Sequence, residues 1–393
     1  MKEEKKIWNR NFIVALVGFF SLFMSITLFF IFPLFFEQFG ASKSRIGWIM
    51  GIHSLTAIII RPLFGRMIDV KGRKKISLVG IASLVLIIPF FHFIQDAGAL
   101  PLVLRALTGL GWGVSIMATM TICSDLAPVN RLAQSMGIIG VAGLISVALG
   151  PLIGEEIVNR FGFGGIFNAC LLFLIVSFLC MLVTKETIGL NNGSFIPSTK
   201  FKLNISVFSL VLVASLPIAH GAVRGSVVYF IALFGKSISF DRIGPFFVAF
   251  SAAAILTRLL MGGISDKYGR KRILLPSVCI ISLNLVVISQ VQSFWLFVLT
   301  GFIGGLGQGL IFPALSTYTI DIFGRQNKGM AIGLYQTFFD VGMGFGSAFF
   351  GWISDLRGYR HMFLSAAILI FVIGVIFILK APHPKAPESS FIS

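Results

Sequence analysis

The chain has 393 residues, of which 56% are hydrophobic and only 12% charged, and its formal net charge at pH 7 is +17. Soluble globular domains are about 45–50% apolar and about 25% charged, so this composition excludes an ordinary soluble protein. Apolar stretches of about 20 residues, the length that a helix needs to cross a bilayer, recur along the chain and predict a helical protein with many membrane spans.

The hydropathy pattern predicts twelve spans, numbered here in chain order. The first follows a basic tail and is about 24 residues long, whereas a cleavable signal peptide has 7–15 apolar residues, so we expect it to be retained as a helix. The predicted spans are 12–36, 46–65, 76–95, 99–122, 135–155, 164–184, 205–234, 242–262, 273–292, 294–317, 330–352 and 362–380.

A polar stretch rich in Asn, Gly, Ser and Pro separates spans 6 and 7 and is typical of a linker. We therefore predict three parts. They are an N-terminal six-helix bundle over 1–184, a cytoplasmic linker over 185–203, and a C-terminal six-helix bundle with a short cytoplasmic tail over 204–393.

Lysine and arginine are distributed unequally between the two sides of the membrane. With the N-terminus in the cytoplasm, the inner segments hold 21 of these residues and the outer loops hold 7. This positive-inside bias predicts that both termini are cytoplasmic, and it suits a bacterial inner (plasma) membrane. It also explains the net charge without a nucleic-acid partner, because the basic runs lie between membrane spans.

The two halves of the sequence repeat each other. RPLFGRMIDVKGRKK (61–75) matches RLLMGGISDKYGRKR (258–272) at an offset of 197, and TGLGWG (108–113) matches GGLGQG (304–309) at an offset of 196. A nearly constant offset over six spans indicates two homologous halves. Many secondary transporters have this architecture, with the substrate site between the halves near the middle of the membrane.

The loop between spans 2 and 3 contains Gly65-x-x-x-Asp69-x-x-Gly72-Arg73 and resembles the signature of the major facilitator superfamily. The resemblance covers almost the whole chain and implies two six-helix bundles that work by alternating access. It also implies that the motif acts as a cytoplasmic gate rather than as a substrate site. The second copy, between spans 8 and 9, contains Gly262, Asp266, Gly269 and Arg270.

The chemistry of the motif is consistent with a gate. A carboxylate at Asp69 can pair with an arginine or with the positive N-terminus of a facing helix, and such a contact closes the cytoplasmic side. Asp125, on the neighbouring inner loop, is a second candidate partner for Arg73. The alternative is that the basic residues only anchor the orientation of the chain.

Ionisable side chains within membrane spans are energetically costly and are therefore candidates for function. Asp340 lies about ten residues into span 11, where an isolated carboxylate favours its protonated form. It is a candidate proton carrier or a partner for a cationic substrate, and the alternative is a structural pair with an arginine of another helix. The other candidates are His53, Arg61, Arg105, Glu155, Glu156, His220, Arg224 and Arg258.

Arg105 begins RALTGLGWG in span 4, which resembles the arginine–glycine pattern of proton-coupled superfamily members. Its repeat position is Gly301, so the repeat does not require an arginine there. We expect Arg105 to serve proton coupling or to bind an anionic group of the substrate, with a packing ion pair as the alternative. We expect Arg224 to face an outer cavity.

The remaining candidates have simpler alternatives. A histidine within a helix, such as His53 or His220, is more often a packing residue than a functional one. Glu155 is expected to contact water at the outer end of span 5. Arg61 and Arg258 lie near inner helix ends, where we expect their charged groups to reach the interface.

Span 5 contains GLISVALGPLIGE (143–155), which resembles the helix-5 motif of proton-coupled exporters and so implies export. Glycines with a proline allow a bend and close helix packing. Ser146 and Glu155 depart from the usual pattern. The residues that carry the resemblance are Gly143, Gly150, Pro151 and Gly154.

The sequence predicts a proton-coupled secondary transporter that exports a small organic molecule such as a drug, a metabolite or a siderophore-like solute. The resemblance implies a monomer, and we expect no cofactor and no metal, because there is neither a His/Cys/carboxylate cluster nor a GxxxxGK[ST] loop. Span 1 has no acid within it, although many cation-exporting relatives carry one there.

Two alternatives remain open. A proton symporter or uniporter for uptake of a sugar, organic acid or peptide-like nutrient would use Arg105 and Arg224 to bind a carboxylate. A transporter-fold sensor or lipid-handling protein would move no solute. A membrane enzyme is not favoured, because the sequence shows no nucleophile–base pairing.

Overall fold

A computed structural model describes residues 8–128, 131–187, 206–261, 269–324 and 328–382, and these residues form helices joined by short connections, without a β-strand. The helices of the first half are α1 (Arg10–Thr27), α2 (Pro33–Glu37), α3 (Lys43–Lys71), α4 (Arg73–Ile87), α5 (Ala99–Asp125) and α6 (Leu132–Val183). Two 3₁₀ turns, Leu28–Ile31 and Ile88–Phe93, follow α1 and α4. The helices of the second half are α7 (Val207–Ser237), α8 (Gly244–Met261), α9 (Arg270–Ser289), α10 (Phe294–Phe323) and α11 (Lys328–Lys380).

The helices are those of a membrane protein. Eight helical segments in the described part of the chain are long and apolar enough to cross a bilayer. Each of the twelve predicted spans overlaps a helix, and α6 and α11, with 52 and 53 residues, hold two spans each. The prediction of an all-α membrane protein is therefore confirmed.

The repeat is visible in the backbone. α6 turns sharply at Gly162 (φ 66°) and α11 at Gly358 (φ 80°), two positions related by the offset of 196. Gly72 (φ 105°) and Gly269 (φ 88°), related by the offset of 197, each precede the first residue of a helix. Positive φ is readily available to glycine because it lacks a Cβ, so the two halves turn at equivalent places.

Helix packing follows the two halves. In the first half α1 packs on α6, while α5 packs on α3 and α4. In the second half α7 packs on α11, while α10 packs on α8 and α9. The halves meet along α3 with α11 and along α6 with α8. The predicted linker, 185–203, lies mostly outside the described residues, and its boundaries stay a prediction.

The contact between α3 and α11 depends on small residues. A Cβ at Gly47 or Gly51 would collide with the backbone of α11 around Ser347 and Gly344. Helices in a bilayer associate closely where such residues let the backbones approach. The Ser347 hydroxyl also donates a hydrogen bond of 3.0 Å to the Gly47 carbonyl. This bond holds the first turns of α3 against α11.

Candidate functional site

An ion pair joins the two halves inside the membrane. The Arg61 guanidinium on α3 donates to the Asp340 carboxylate on α11, and both side chains are largely buried. Gln336, one helical turn before Asp340, donates a second hydrogen bond of 3.1 Å to the same carboxylate. Asp340 therefore has a partner from the opposite half of the chain.

This arrangement differs from one sequence expectation and matches one alternative. Arg61 does not reach toward the membrane interface but turns inward to Asp340. For Asp340 the pair is the alternative given above, an arginine of another helix that balances its charge. Hydropathy alone could not reveal the pair, since Arg61 and Asp340 lie 279 residues apart in sequence.

Arg105 lies in a small cavity within the first half, here called the N-half cavity. It is lined by Arg105, His53, Phe29, Thr108 and Trp112 among others. The Arg105 side chain is 1% exposed and lies over the Phe29 ring, 5.3 Å from its centroid. It donates one hydrogen bond of 3.3 Å, to the Met50 carbonyl, and two of its nitrogens, Nε and Nη1, have no partner.

His53 connects this cavity with the ion pair. Its Nδ1 is 3.3 Å from the Thr108 hydroxyl, while its Nε2 has no hydrogen-bond partner. The side chain lies within electrostatic reach of both Arg61 and Arg105. The cavity and the ion pair are therefore parts of one electrostatically connected region.

A second small cavity, the C-half cavity, lies within the other half. Its lining includes Arg224, His220, Phe250, Asn284 and Gln308. The Arg224 guanidinium lies over the Phe250 ring, 4.3 Å from its centroid. His220 Nε2 is 2.8 Å from Gln308 Oε1, and Asn284 Oδ1 is buried without a partner.

The cytoplasmic motif contains two equivalent ion pairs. Arg73 pairs with Asp125 in the first half, and Arg270 pairs with Asp321 at 3.1 Å in the second. The Thr187 hydroxyl donates to Asp125 over 2.8 Å. Arg73 therefore meets the carboxylate that the sequence offered as its second partner.

Several motif residues fall outside the described part of the structure. Gly65 and Asp69 belong to the backbone of α3, but the contacts of these two residues lie outside the described part of the structure. Gly262 and Asp266 lie outside the described residues altogether. The gate role of these residues stays a prediction.

Two carboxylates close the end of the molecule that the charge bias predicts to face outward, here called the predicted outer end. Asp355, in α11, accepts hydrogen bonds from the backbone N–H groups of Lys43 (2.7 Å) and Ser44 (2.8 Å) at the start of α3. Glu155, in α6, accepts from the N–H groups of Ile243 and Gly244 (2.9 Å) at the start of α8. We call these two contacts the outer caps.

Each outer cap joins opposite halves of the chain. A carboxylate at a helix N-terminus satisfies free N–H groups and interacts favourably with the helix dipole. Lys236 of α7 adds a cross-half ion pair of 3.0 Å with Glu37 of α2. The predicted outer end is therefore closed. In the sequence Glu155 is indicated only as an interfacial acid. The sequence signal for Asp355 is weaker still, a single carboxylate that follows span 11.

The helix-5 motif packs closely but does not break its helix. α6 continues as an α-helix through Pro151, and its non-helical residue is Gly162. A Cβ at Gly150 would collide with Thr27, so Gly150 allows α6 to approach the end of α1. Gly143 and Gly154 lie near Phe23 and Ile31 of the same neighbouring segment.

Two further acid and base candidates have local contacts. Glu156 pairs with Arg160 one turn later, on an exposed part of α6 just before its turn at Gly162. Arg258 lies over the Phe312 ring, 5.6 Å from its centroid. Within the described part of the chain no three His, Cys, Asp or Glu side chains are grouped as metal ligands.

Comparison with known proteins identifies the family. Residues 14–235 and 212–392 each match the profile of the Major Facilitator Superfamily. The chain belongs to this superfamily. It is thus an integral membrane transporter and not an enzyme.

The relatives of this superfamily member span nearly its full length. It is 26% identical over 383 residues to "Multidrug resistance protein MdtG" of Dickeya zeae, covering 93% of each chain. It is 26% identical over 380 residues to "Staphylopine export protein" of Staphylococcus aureus, covering 91% of this chain and 92% of the relative. The human organic anion transporter MFSD10 (TETRAN) superposes with a TM-score of 0.69 at 16% identity, covering 94% of this chain and 99% of that one, which shows a shared fold.

Proposed function

We propose that this transporter exports a small organic molecule in exchange for protons. The observation that carries the proposal is the ion pair between Arg61 and Asp340, because it joins the two halves, and alternating-access transporters bind their solutes between the halves. Asp340 is the proton-carrying group, and Arg61 is the partner that responds to its charge.

The chemistry follows from the pairing. Ionised Asp340 attracts Arg61 and so favours the arrangement of α3 and α11 that the structure shows. A proton on the carboxylate removes that charge, and the attraction to Arg61 is lost. A ligand shifts a conformational equilibrium when it binds one conformation more tightly than the other. The proton acts as such a ligand, because it binds Asp340 more tightly when Arg61 is not beside it.

The direction of transport is supported by the relatives. The printed names of two full-length relatives refer to multidrug resistance and to export. The glycine and proline residues of the helix-5 motif, which resemble those of exporters, pack tightly against α1 at Gly150. We therefore assign export rather than uptake.

The cytoplasmic motif is proposed to control closure of the inner side. Arg73 at the start of α4 forms an ion pair with Asp125 at the end of α5, and the second half repeats it with Arg270 and Asp321. These pairs hold the inner helix ends in place within each half. The proposed location is the bacterial inner membrane with both termini in the cytoplasm, in line with bacterial relatives and the charge bias.

The test is proton movement in everted membrane vesicles that contain the full-length protein. The vesicles are energised to an acid interior, and drugs, metal-chelating metabolites, sugars and carboxylates are added singly. We expect at least one compound to release protons from the interior, and we expect Asp340→Asn to abolish the response while the protein still inserts.

The matched control is Asp241→Asn, which removes an exposed carboxylate from a loop and should respond like the wild type. Full proton exchange in Asp340→Asn would refute the role of Asp340. Proton movement of the opposite sign would instead identify an uptake symporter.

A further inference from the structure

We propose that the exported solute is a small organic anion with at least one carboxylate group, which the guanidinium groups of Arg105 and Arg224 bind from the two halves. This inference rests on the proposed export function and specifies its substrate class. It depends on three observations: the charge balance inside the membrane, the equivalence of the two cavities, and the free hydrogen-bonding groups within them.

The first observation is an excess of positive charge. Of the arginines within the described spans, Arg61 has the Asp340 carboxylate as its partner. Arg105, Arg224 and Arg258 form no ion pair among the described residues and lie over aromatic rings instead. Glu155 of α6 is half-buried, and backbone N–H groups at the start of α8 occupy both of its carboxylate oxygens. An anion supplies the charge that the interior lacks, whereas a cation adds to the repulsion.

The second observation is that the sequence repeat relates the two cavities. Positions that line the N-half cavity map onto positions that line the C-half cavity at offsets of 196 or 197. The pairs include His53 with Phe250, Leu84 with Ile281, Ile88 with Leu285, Thr108 with Gly304, and Trp112 with Gln308. The cavities therefore occupy the same place in each half.

Each cavity contains an arginine lying over a phenylalanine, but different helices supply them. In the N-half cavity Arg105 comes from α5. In the C-half cavity Arg224 comes from α7, and Phe250 stands at the repeat position of His53. The repeat alone does not give this arrangement, since the position equivalent to Arg105 is Gly301. Each half thus has an arginine over a phenylalanine ring in its cavity, although the two arginines are not at equivalent positions of the repeat.

The third observation is that the guanidinium group of Arg105 has free donors. Arg105 is 1% exposed, lines its cavity, and has two nitrogens without a hydrogen-bond partner. A guanidinium whose face covers a ring keeps its N–H edge free, and that edge matches a carboxylate in a bidentate pair. The remaining lining of the C-half cavity includes Val223, Phe246 and Leu285, so an apolar body fits beside the carboxylate.

The Tyr229 phenol of α7 is buried and interacts electrostatically with Arg105, Arg224 and Asp340. Arg61 balances the charge of Asp340, so the charges of the two other arginines that act on this phenol are unbalanced among the described residues.

The test compares three probes that share a nitrophenyl ring and differ in charge: 4-nitrobenzoate, 4-nitrobenzyl alcohol and 4-nitrobenzyltrimethylammonium. Binding to the purified full-length protein is measured by quenching of tryptophan fluorescence, because Trp112 lines the N-half cavity. Trp112→Phe identifies the part of the signal that comes from this cavity. We expect saturable quenching by the anion, at an affinity at least tenfold higher than for the other two probes.

Substitutions then locate the binding groups. Arg105→Gln and Arg224→Gln should each weaken binding of 4-nitrobenzoate at least tenfold, while Arg105→Lys keeps the charge and retains the preference for the anion. Arg160→Gln removes an exposed arginine outside both cavities and should bind as the wild type does. Size-exclusion chromatography confirms that each variant is folded.

Equal quenching by the three probes, a preference for the cation, or no saturable binding of the anion would overturn the inference. So would unchanged affinity in both glutamine variants. The measurement uses no proton gradient, so its failure is distinct from a failure of proton coupling through Asp340.

Discussion

Asp340 and Arg61 come from opposite halves of the chain, so the ion pair contributes to the free energy that separates one arrangement of the halves from another. A buried pair adds little net stability compared with an apolar contact, but removing one partner leaves an uncompensated charge. The pair is therefore better suited to switching than to stabilisation.

The difference between an intact pair and a pair that lacks one partner gives a prediction for single residues. Arg61→Gln leaves the Asp340 carboxylate without its cation, and breaking a buried pair in this way costs about 3–5 kcal/mol. We expect a clearly lower midpoint of thermal unfolding in detergent. Asp340→Asn in the same background should restore most of the lost stability without restoring proton exchange.

The double variant serves as the control, because it removes both charges. Arg61→Gln with wild-type thermal stability would mean that the pair is not formed in the membrane. A double variant as unstable as Arg61→Gln would mean that the loss comes from packing of the arginine stem.

At the scale of helices, the outer caps connect the end of one helix with the start of another in the opposite half. A side chain that caps a helix contributes about 0.5–2 kcal/mol, and its charge adds a favourable interaction with the helix dipole. α3 and α8 are the two capped helices, and they are equivalent in the repeat. The closure of the predicted outer end is thus approximately symmetric.

Removal of both caps should favour opening at that end. We expect Glu155→Ala with Asp355→Ala to raise the population open at the predicted outer end by about tenfold or more, since each cap contributes roughly 1 kcal/mol. Labelling of a cysteine placed at Ser347, where α3 and α11 now touch, measures this opening.

The comparison variant is Asp355→Asn, since asparagine retains the acceptor oxygen but not the charge. The labelling rate of Asp355→Asn should lie between the rates of the wild type and of Asp355→Ala. Labelling rates that are the same in the wild type and the double alanine variant would show that the caps do not hold the outer end.

At the scale of the whole molecule, transport requires the two halves to separate at the predicted outer end. Glu37 and Lys236, which pair across the halves at 3.0 Å, mark a place where the ends can be joined chemically. Cysteines at these two positions, in a background with Cys279→Ser, can be bridged by a short methanethiosulfonate cross-linker.

We expect the cross-linked protein to lose transport and to regain it on reduction. Each single-cysteine variant treated with the same reagent should keep its activity. Undiminished transport by fully cross-linked protein would show that the halves need not part at this end.

Much of the architecture could be predicted from sequence because the bilayer imposes strong constraints. Hydrophobic length places helices, and the repeat places their turns, which is why Gly162 and Gly358 bend equivalent helices. The pairing of Arg73 with Asp125 could be anticipated because the two lie on neighbouring inner loops.

The contacts between the halves could not be predicted in the same way. Asp355 meets backbone N–H groups, which every non-proline residue has and which therefore leave no pattern in sequence. Arg61 is an apparent interfacial arginine until the packing of α3 against α11 brings it to Asp340. Both depend on which helices meet, and hydropathy contains no information about that.

The outer caps also have an evolutionary consequence. Because the donors of the Asp355 cap are main-chain groups, residues 43 and 44 can change without loss of the cap, proline excepted, while the acid must persist. Gly244, in the other cap, is constrained by its close approach to Leu152. In diverged descendants of this chain, the first cap would be marked by an invariant carboxylate that faces a variable helix start. A search for residues that change in concert would find no partner for Asp355 and would overlook the contact.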